Sequence, residues 1–83
     1  MAVIHYYTRR GCHLGEVMLE ELLPLIRGRV EIEYRDIDSR PDWCEKYDVR
    51  VPVIEYDGQL ISEYPLEYAA IRAVLSQIPE IDE

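Results

Sequence analysis

The apolar residues near the N-terminus change their spacing abruptly, and that change limits what the chain can fold into. Ala2-Val3-Ile4-His5-Tyr6-Tyr7 is a near-continuous apolar run, which reads as a strand covered on both faces. Leu14, Val17, Met18, Leu22, Leu25 and Ile26 then recur at helical spacing. Val30, Ile32 and Tyr34 next alternate with Glu31, Glu33 and Arg35, the period of a strand with one wetter face, as at a sheet edge. Two strands joined by a helix must pair in parallel through a right-handed crossover. The switch itself falls at Thr8-Arg9-Arg10-Gly11-Cys12-His13-Leu14-Gly15-Glu16, so Cys12 sits where a strand ends and a helix begins.

That position matters chemically. The first turn of a helix has unpaired N–H groups and the positive end of the helix dipole, and both favour a thiolate over a thiol. Arg9, Arg10 and His13 add positive charge around the same sulfur.

The remaining elements follow in order. Pro24 lies inside the helical run and must remove a backbone bond, so a kink or an early end near Leu22 is expected, with Gly28 as the stop. Asp38-Ser39-Arg40-Pro41 is a helix-start cluster with Asp38 or Ser39 as the cap, and the short helix after it carries Trp43, Cys44 and Tyr47. Val51-Pro52-Val53-Ile54-Glu55-Tyr56 reads as a third strand. Asp57-Gly58 reads as a two-residue hairpin into Gln59-Leu60-Ile61. Ser62-Glu63-Tyr64-Pro65 opens a last helix with Pro65 in its first turn, whose buried stripe is Leu66, Ala69, Ala70, Ala73 and Val74, widened by Tyr68, Ile71 and Leu75. The expected architecture is an α/β sandwich of order βαβαββα, with helices flanking a four-stranded mixed sheet. It forms a single domain over residues 1–83, with a core at about 2–78 and an acidic tail at 79–83.

Composition narrows the partners. A formal charge of −8 argues against nucleic acid or an anionic membrane, which call for a cationic footprint. Two cysteines are too few for a secreted disulfide framework. No export signal or membrane-spanning run is evident, so a reducing, cytoplasmic setting and a monomer are expected. Cys12 and His13 lack metal-ligand spacing, His5 reads as a strand-core residue, and no metal site is expected.

Tyr-Thr-Arg-Arg-Gly-Cys at a helix start, Val51-Pro52-Val53 at the third strand and the Asp-Gly hairpin together resemble the glutaredoxin branch of the thioredoxin superfamily. More narrowly, Tyr-Thr-Arg-Arg-Gly-Cys-His-Leu is similar to small bacterial glutaredoxin-like proteins, and the likeness runs from Val3 to roughly Leu75. It implies a thiol–disulfide oxidoreductase with Cys12 as the nucleophile. Arg9 stands where such proteins hold a cation for a glutathione carboxylate. Val51 and Pro52 stand where a cis proline and its predecessor receive glutathione or a peptide.

Two departures are visible. Gly15 occupies the place of the second cysteine of CxxC members, so exchange through Cys12 alone is expected. Ser62, Glu63 and Pro65 stand where glutathione-binding members have Gly-Gly and an aspartate, which weakens that half of a glutathione site. The loop also differs from the Cys-Gly-Phe-Ser of cluster-bridging relatives, so no bound cofactor is expected, and glutathione enters as a co-substrate.

Three residues keep two readings each. Cys44 is a buried small hydrophobe beside Trp43, or a resolving thiol if it lies within bonding reach of Cys12. Arg50 belongs to the cationic rim beside Val51-Pro52, or is a solvated loop residue. His13 contributes to the positive field, or is simply solvated. Two functions therefore stay open: a monothiol oxidoreductase acting on glutathione or a protein disulfide, and a thioredoxin-fold binding module with little turnover.

Overall fold

In the computed structural model, residues 2–78 are described; the expected acidic tail at 79–83 lies outside them. The elements are β1 (Val3–Thr8), α1 (His13–Ile26), β2 (Glu31–Asp36), a 3-10 turn (Ile37–Ser39), α2 (Pro41–Tyr47), β3 (Val53–Tyr56), β4 (Gln59–Glu63) and α3 (Tyr68–Ser76). The four strands form one mixed sheet in the order β2-β1-β3-β4. β1 runs parallel to β2, with Ile4 opposite Ile32 and Tyr6 opposite Tyr34, and antiparallel to β3, with Tyr7 opposite Val53.

Because β1 is central, its alternate side chains feed two cores. Ile4 and Tyr6 join Met18, Leu22 and Ile26 of α1, Ile54 of β3, and Ile71, Val74 and Leu75 of α3 on one face. Tyr7 packs with Ile37, Tyr47 and Val53 on the other, where Trp43 meets its ring edge-on at 5.6 Å. In that second core Glu55 is buried, and its carboxylate accepts hydrogen bonds from the hydroxyls of Tyr7, at 3.2 Å, and Tyr47. Arg35 Nη1 donates to the Tyr7 hydroxyl at 2.7 Å and Lys46 lies 3.7 Å from Glu55, so the buried charge is fully partnered.

The hairpin forms as expected. Asp57 and Gly58 have φ of 55° and 78°, so both centre residues are left-handed, the combination a two-residue turn matching the strand twist requires. A one-residue register shift between Ile54 and Glu55 leaves Ile61 as the extra residue of β4.

Four local readings are corrected. The first helix does not end at Leu22: α1 continues through Pro24 to Ile26, because Met18, Leu22 and Ile26 lie on one buried stripe while Pro24 faces solvent. Asp38 and Ser39 do not cap α2. The Asp36 carboxylate caps the 3-10 turn by accepting from the Asp38 N–H at 2.9 Å, and Arg40 precedes α2 without a side-chain cap.

The last helix starts at Tyr68, well past Pro65, since β4 continues to Glu63 and the Glu67 N–H is taken by Ser62 Oγ at 3.0 Å. Its buried residues are Ile71, Val74 and Leu75, while Tyr68, Ala69 and Ala73 are exposed. Tyr34 is the fourth correction: it was expected on the covered face of β2 but is 56% exposed. Its outward neighbour Arg35 is half-buried against the Trp43 ring at 5.1 Å. No helix among the described residues is long and apolar enough to cross a membrane.

Candidate functional site

The loop from β1 to α1 brings Cys12 to the N-cap of α1. Gly11, at φ 80°, turns the chain, and the Cys12 N–H bonds the Arg9 carbonyl at 3.1 Å. The Cys12 backbone is extended, and its half-buried Sγ accepts a hydrogen bond from the Gly15 N–H at 3.2 Å. Sulfur therefore does what a serine or aspartate oxygen does at other helix starts: it satisfies an orphan donor.

Gly15 is held from the other side as well. The buried Tyr6 hydroxyl donates to its carbonyl at 2.6 Å. Burial pushes the Tyr6 hydroxyl far above the tyrosine range, and the neighbouring Cys12 and Tyr34 push the same way. A Cβ at Gly15 would collide with Thr8 Oγ1 and stand 3.3 Å from Cys12 Sγ. The place of a CxxC second cysteine is thus filled by the Thr8 hydroxyl.

The cations expected around the sulfur separate into two groups. Arg9 forks onto Asp38, with Nη2–Oδ1 at 2.9 Å and Nε–Oδ2 at 3.2 Å, and reaches both the carboxylate and the carbonyl of Asp48 at 3.0 and 3.2 Å. The Arg9 hydrogen bond holds the Asp38 carboxyl below its ordinary range. Arg50 stacks 5.6 Å over the Tyr47 ring and pairs with Glu63 at 2.7 Å. Both arginines are consumed by the chain's own carboxylates. Arg10 and His13 are exposed, with no polar partner among the described residues.

On the β3 side, Val51 is half-buried against the Tyr7 core, Pro52 is buried, and the bond between them is cis. The β1–β3 register, continued one step beyond Tyr7 and Val53, sets Pro52 beside Thr8, next to the cysteine loop.

Cys44 does not behave as a simple buried hydrophobe. It is half-buried, with Sγ 3.8 Å from Arg9 Nη2 and 3.7 Å from Asp38 Oδ1. Both cysteines are free thiols. No group of three or more His, Cys, Asp or Glu able to hold a metal ion occurs among the described residues.

One feature was not read from the residues. A cleft of about 300 Å³ opens beside Cys12 toward β2, lined by Tyr6, Thr8, Arg10, Glu16, Leu19 and Tyr34 among others. The sequence signal for it was an aromatic, Tyr34, toward the end of the edge strand β2.

A four-stranded sheet of this order, with a cysteine opening the first helix, defines a thioredoxin-fold protein. Solved structures agree. Mitochondrial thioredoxin 3 of Saccharomyces cerevisiae, in its oxidised form, superimposes with a TM-score of 0.57 at 23% identity, covering 92% of this chain and 77% of that one. A thioredoxin variant from Halobacterium salinarum gives 0.59 at 18% identity over 99% and 78%.

Within that class the chain belongs to the glutaredoxin-like domain family (DUF836), whose pattern matches residues 3–76. Protein XcR50 of X. campestris is similar over nearly its full length, with a TM-score of 0.68 at 27% identity, covering 92% of this chain and 99% of that one. No curated protein matches the chain.

Proposed function

We propose that the protein is a monothiol thiol–disulfide exchange protein acting through Cys12. The observation that carries this reading is the placement of Cys12 Sγ, which caps α1, accepts the Gly15 N–H at 3.2 Å and borders an open cleft. In the forward step the Cys12 thiolate attacks one sulfur of a disulfide in line. The Cys12–sulfur bond forms, the original S–S bond breaks, and the departing thiolate takes a proton from solvent.

A second, external thiol such as glutathione then attacks the mixed disulfide and restores Cys12. Gly15 provides no internal resolving thiol, and Cys44 is engaged with Arg9 and Asp38. The acidic surface, with a net charge of −8, fits a small-molecule or protein disulfide better than nucleic acid or an anionic membrane. A monomer in a reducing, cytoplasmic setting suits two free thiols.

The test is disulfide reduction with glutathione as reductant, comparing wild type with Cys12→Ser. The expected result is loss of the protein-dependent rate, with a Cys12–glutathione adduct trapped by mass spectrometry only in the wild type. Equal rates would sink the reading.

One observation favours a second function. Arg50, two residues from Pro52, is already neutralised by Glu63, and Arg9 by Asp38 and Asp48. A binding module that receives a neutral peptide on that side and turns over poorly would look the same there. The Cys12→Ser comparison separates the two.

A further inference from the structure

The cleft on the β2 side of Cys12 differs from its surroundings in charge. Arg9, which also lines the cleft, is paired with Asp38 and Asp48, and Arg50 is paired with Glu63. Arg10 and Glu16 are both exposed, both line the cleft, and neither is ion-paired among the described residues. Tyr34, Tyr6 and Leu19 complete an aromatic and apolar wall, and Cys12 borders the same space.

The volume, about 300 Å³, lies at the small end of ligand pockets. It suits a compact molecule and not a folded loop. A ligand with only a carboxylate would gain from Arg10 and be opposed by Glu16, and a ligand with only an ammonium would meet the reverse. A head group with both charges satisfies the pair.

We propose that this cleft receives a small disulfide built from an amino-acid thiol, its carboxylate toward Arg10, its ammonium toward Glu16 and its sulfur against Cys12. The proposal rests on the exchange reading above and specifies its small substrate. Cys12 thiolate attacks the nearer sulfur, the Cys12–sulfur bond forms as the S–S bond breaks, and the second amino-acid thiolate leaves to take a proton from solvent. Cys12 is oxidised to a mixed disulfide, and one equivalent of amino-acid thiol is released.

Three disulfides of matched backbone test it: cystine carries both charges, cystamine only the ammonium, dithiodipropionate only the carboxylate. Exchange rates of the reduced protein are followed by mass spectrometry, each divided by the rate of the same disulfide with free N-acetylcysteine, which removes the leaving-thiol difference, and by the rate of alkylation of Cys12 by neutral iodoacetamide in the same variant. In the wild type cystine is expected to lead both others by roughly 3-fold or more. Arg10→Gln should slow cystine and dithiodipropionate but speed cystamine, and Glu16→Gln should slow cystine and cystamine but speed dithiodipropionate.

Equal normalised rates for all three in the wild type, or variants that shift all three alike, would overturn the cleft assignment and leave the exchange reading standing. If iodoacetamide labels Cys12 while none of the disulfides reacts, the exchange reading fails, and this inference falls with it.

Discussion

Replacing Gly15 with alanine probes the packing around Cys12. The new Cβ collides with Thr8 Oγ1 and comes within 3.3 Å of Cys12 Sγ. Thr8 is half-buried on a central strand, and a β-branched side chain has little freedom to turn its hydroxyl away. Overfilling a packed site costs about 1–3 kcal/mol. Alanine in place of glycine within a helix returns roughly 0.5–1 kcal/mol. The net loss is therefore near ~1 kcal/mol, a Tm decrease of about 4–8 °C for a domain of this size.

The decisive comparison is the same substitution in a Thr8→Ala background. With the hydroxyl gone, the helical gain is opposed only by the 3.3 Å approach to Cys12 Sγ, and Gly15→Ala should lower Tm by clearly less than in the wild type, or raise it slightly. Urea and thermal unfolding followed by circular dichroism on the four proteins of the cycle measure this. Gly15→Ala destabilising equally in both backgrounds would refute the assignment of Thr8 as the blocking group. A neutral effect in the wild type would refute the collision itself.

Three further outcomes are expected. Tyr6→Phe removes the buried hydroxyl that donates to the Gly15 carbonyl at 2.6 Å, and unfolding should show a loss of about 1 kcal/mol. Asp38 is held below its ordinary range by Arg9. Its pairing stabilises the fold fully above the free aspartate value of about 3.9 and is lost as the pH falls through the lower folded value. In thermal melts through that acid window the wild type should therefore lose more stability than Asp38→Asn, and parallel curves would contradict the pairing. Glu63→Gln releases Arg50 from its 2.7 Å ion pair, so glutathione should add to Cys12 faster in the variant if that side of the site takes an anion; mass spectrometry of adduct formation reads the difference.

The fold was legible because it is written in spacing. The apolar run of β1, the start of α1 at Cys12 and the Asp57-Gly58 turn are local signals, and each forms where expected. What was not legible depends on partners distant in sequence. Pro24 was read as a kink or an early end near Leu22 because the pattern shows the lost N–H but not the buried stripe that holds the last turn of α1. Asp38 was read as a cap, yet its carboxylate is taken by Arg9, 29 positions earlier.

Tyr34 and Arg35 exchanged their expected environments for a similar reason. Alternation places a residue on a face, but only the reach of α1 and the position of Trp43 decide whether that face is covered at its end. At the site, the helix-start position of Cys12 was read correctly. The self-neutralisation of Arg9 and Arg50 was not, since sequence displays the charges without showing which of them meet.

Arg9 has a consequence beyond charge. Its guanidinium grips Asp38 just ahead of α2 and Asp48 just after it, while its own backbone carbonyl receives the Cys12 N–H. One side chain thereby moors the thiol loop to both ends of a short, uncapped helix. Loosening that helix would slacken the strap under the sulfur, so the thiol loop and α2 are expected to open to hydrogen exchange together.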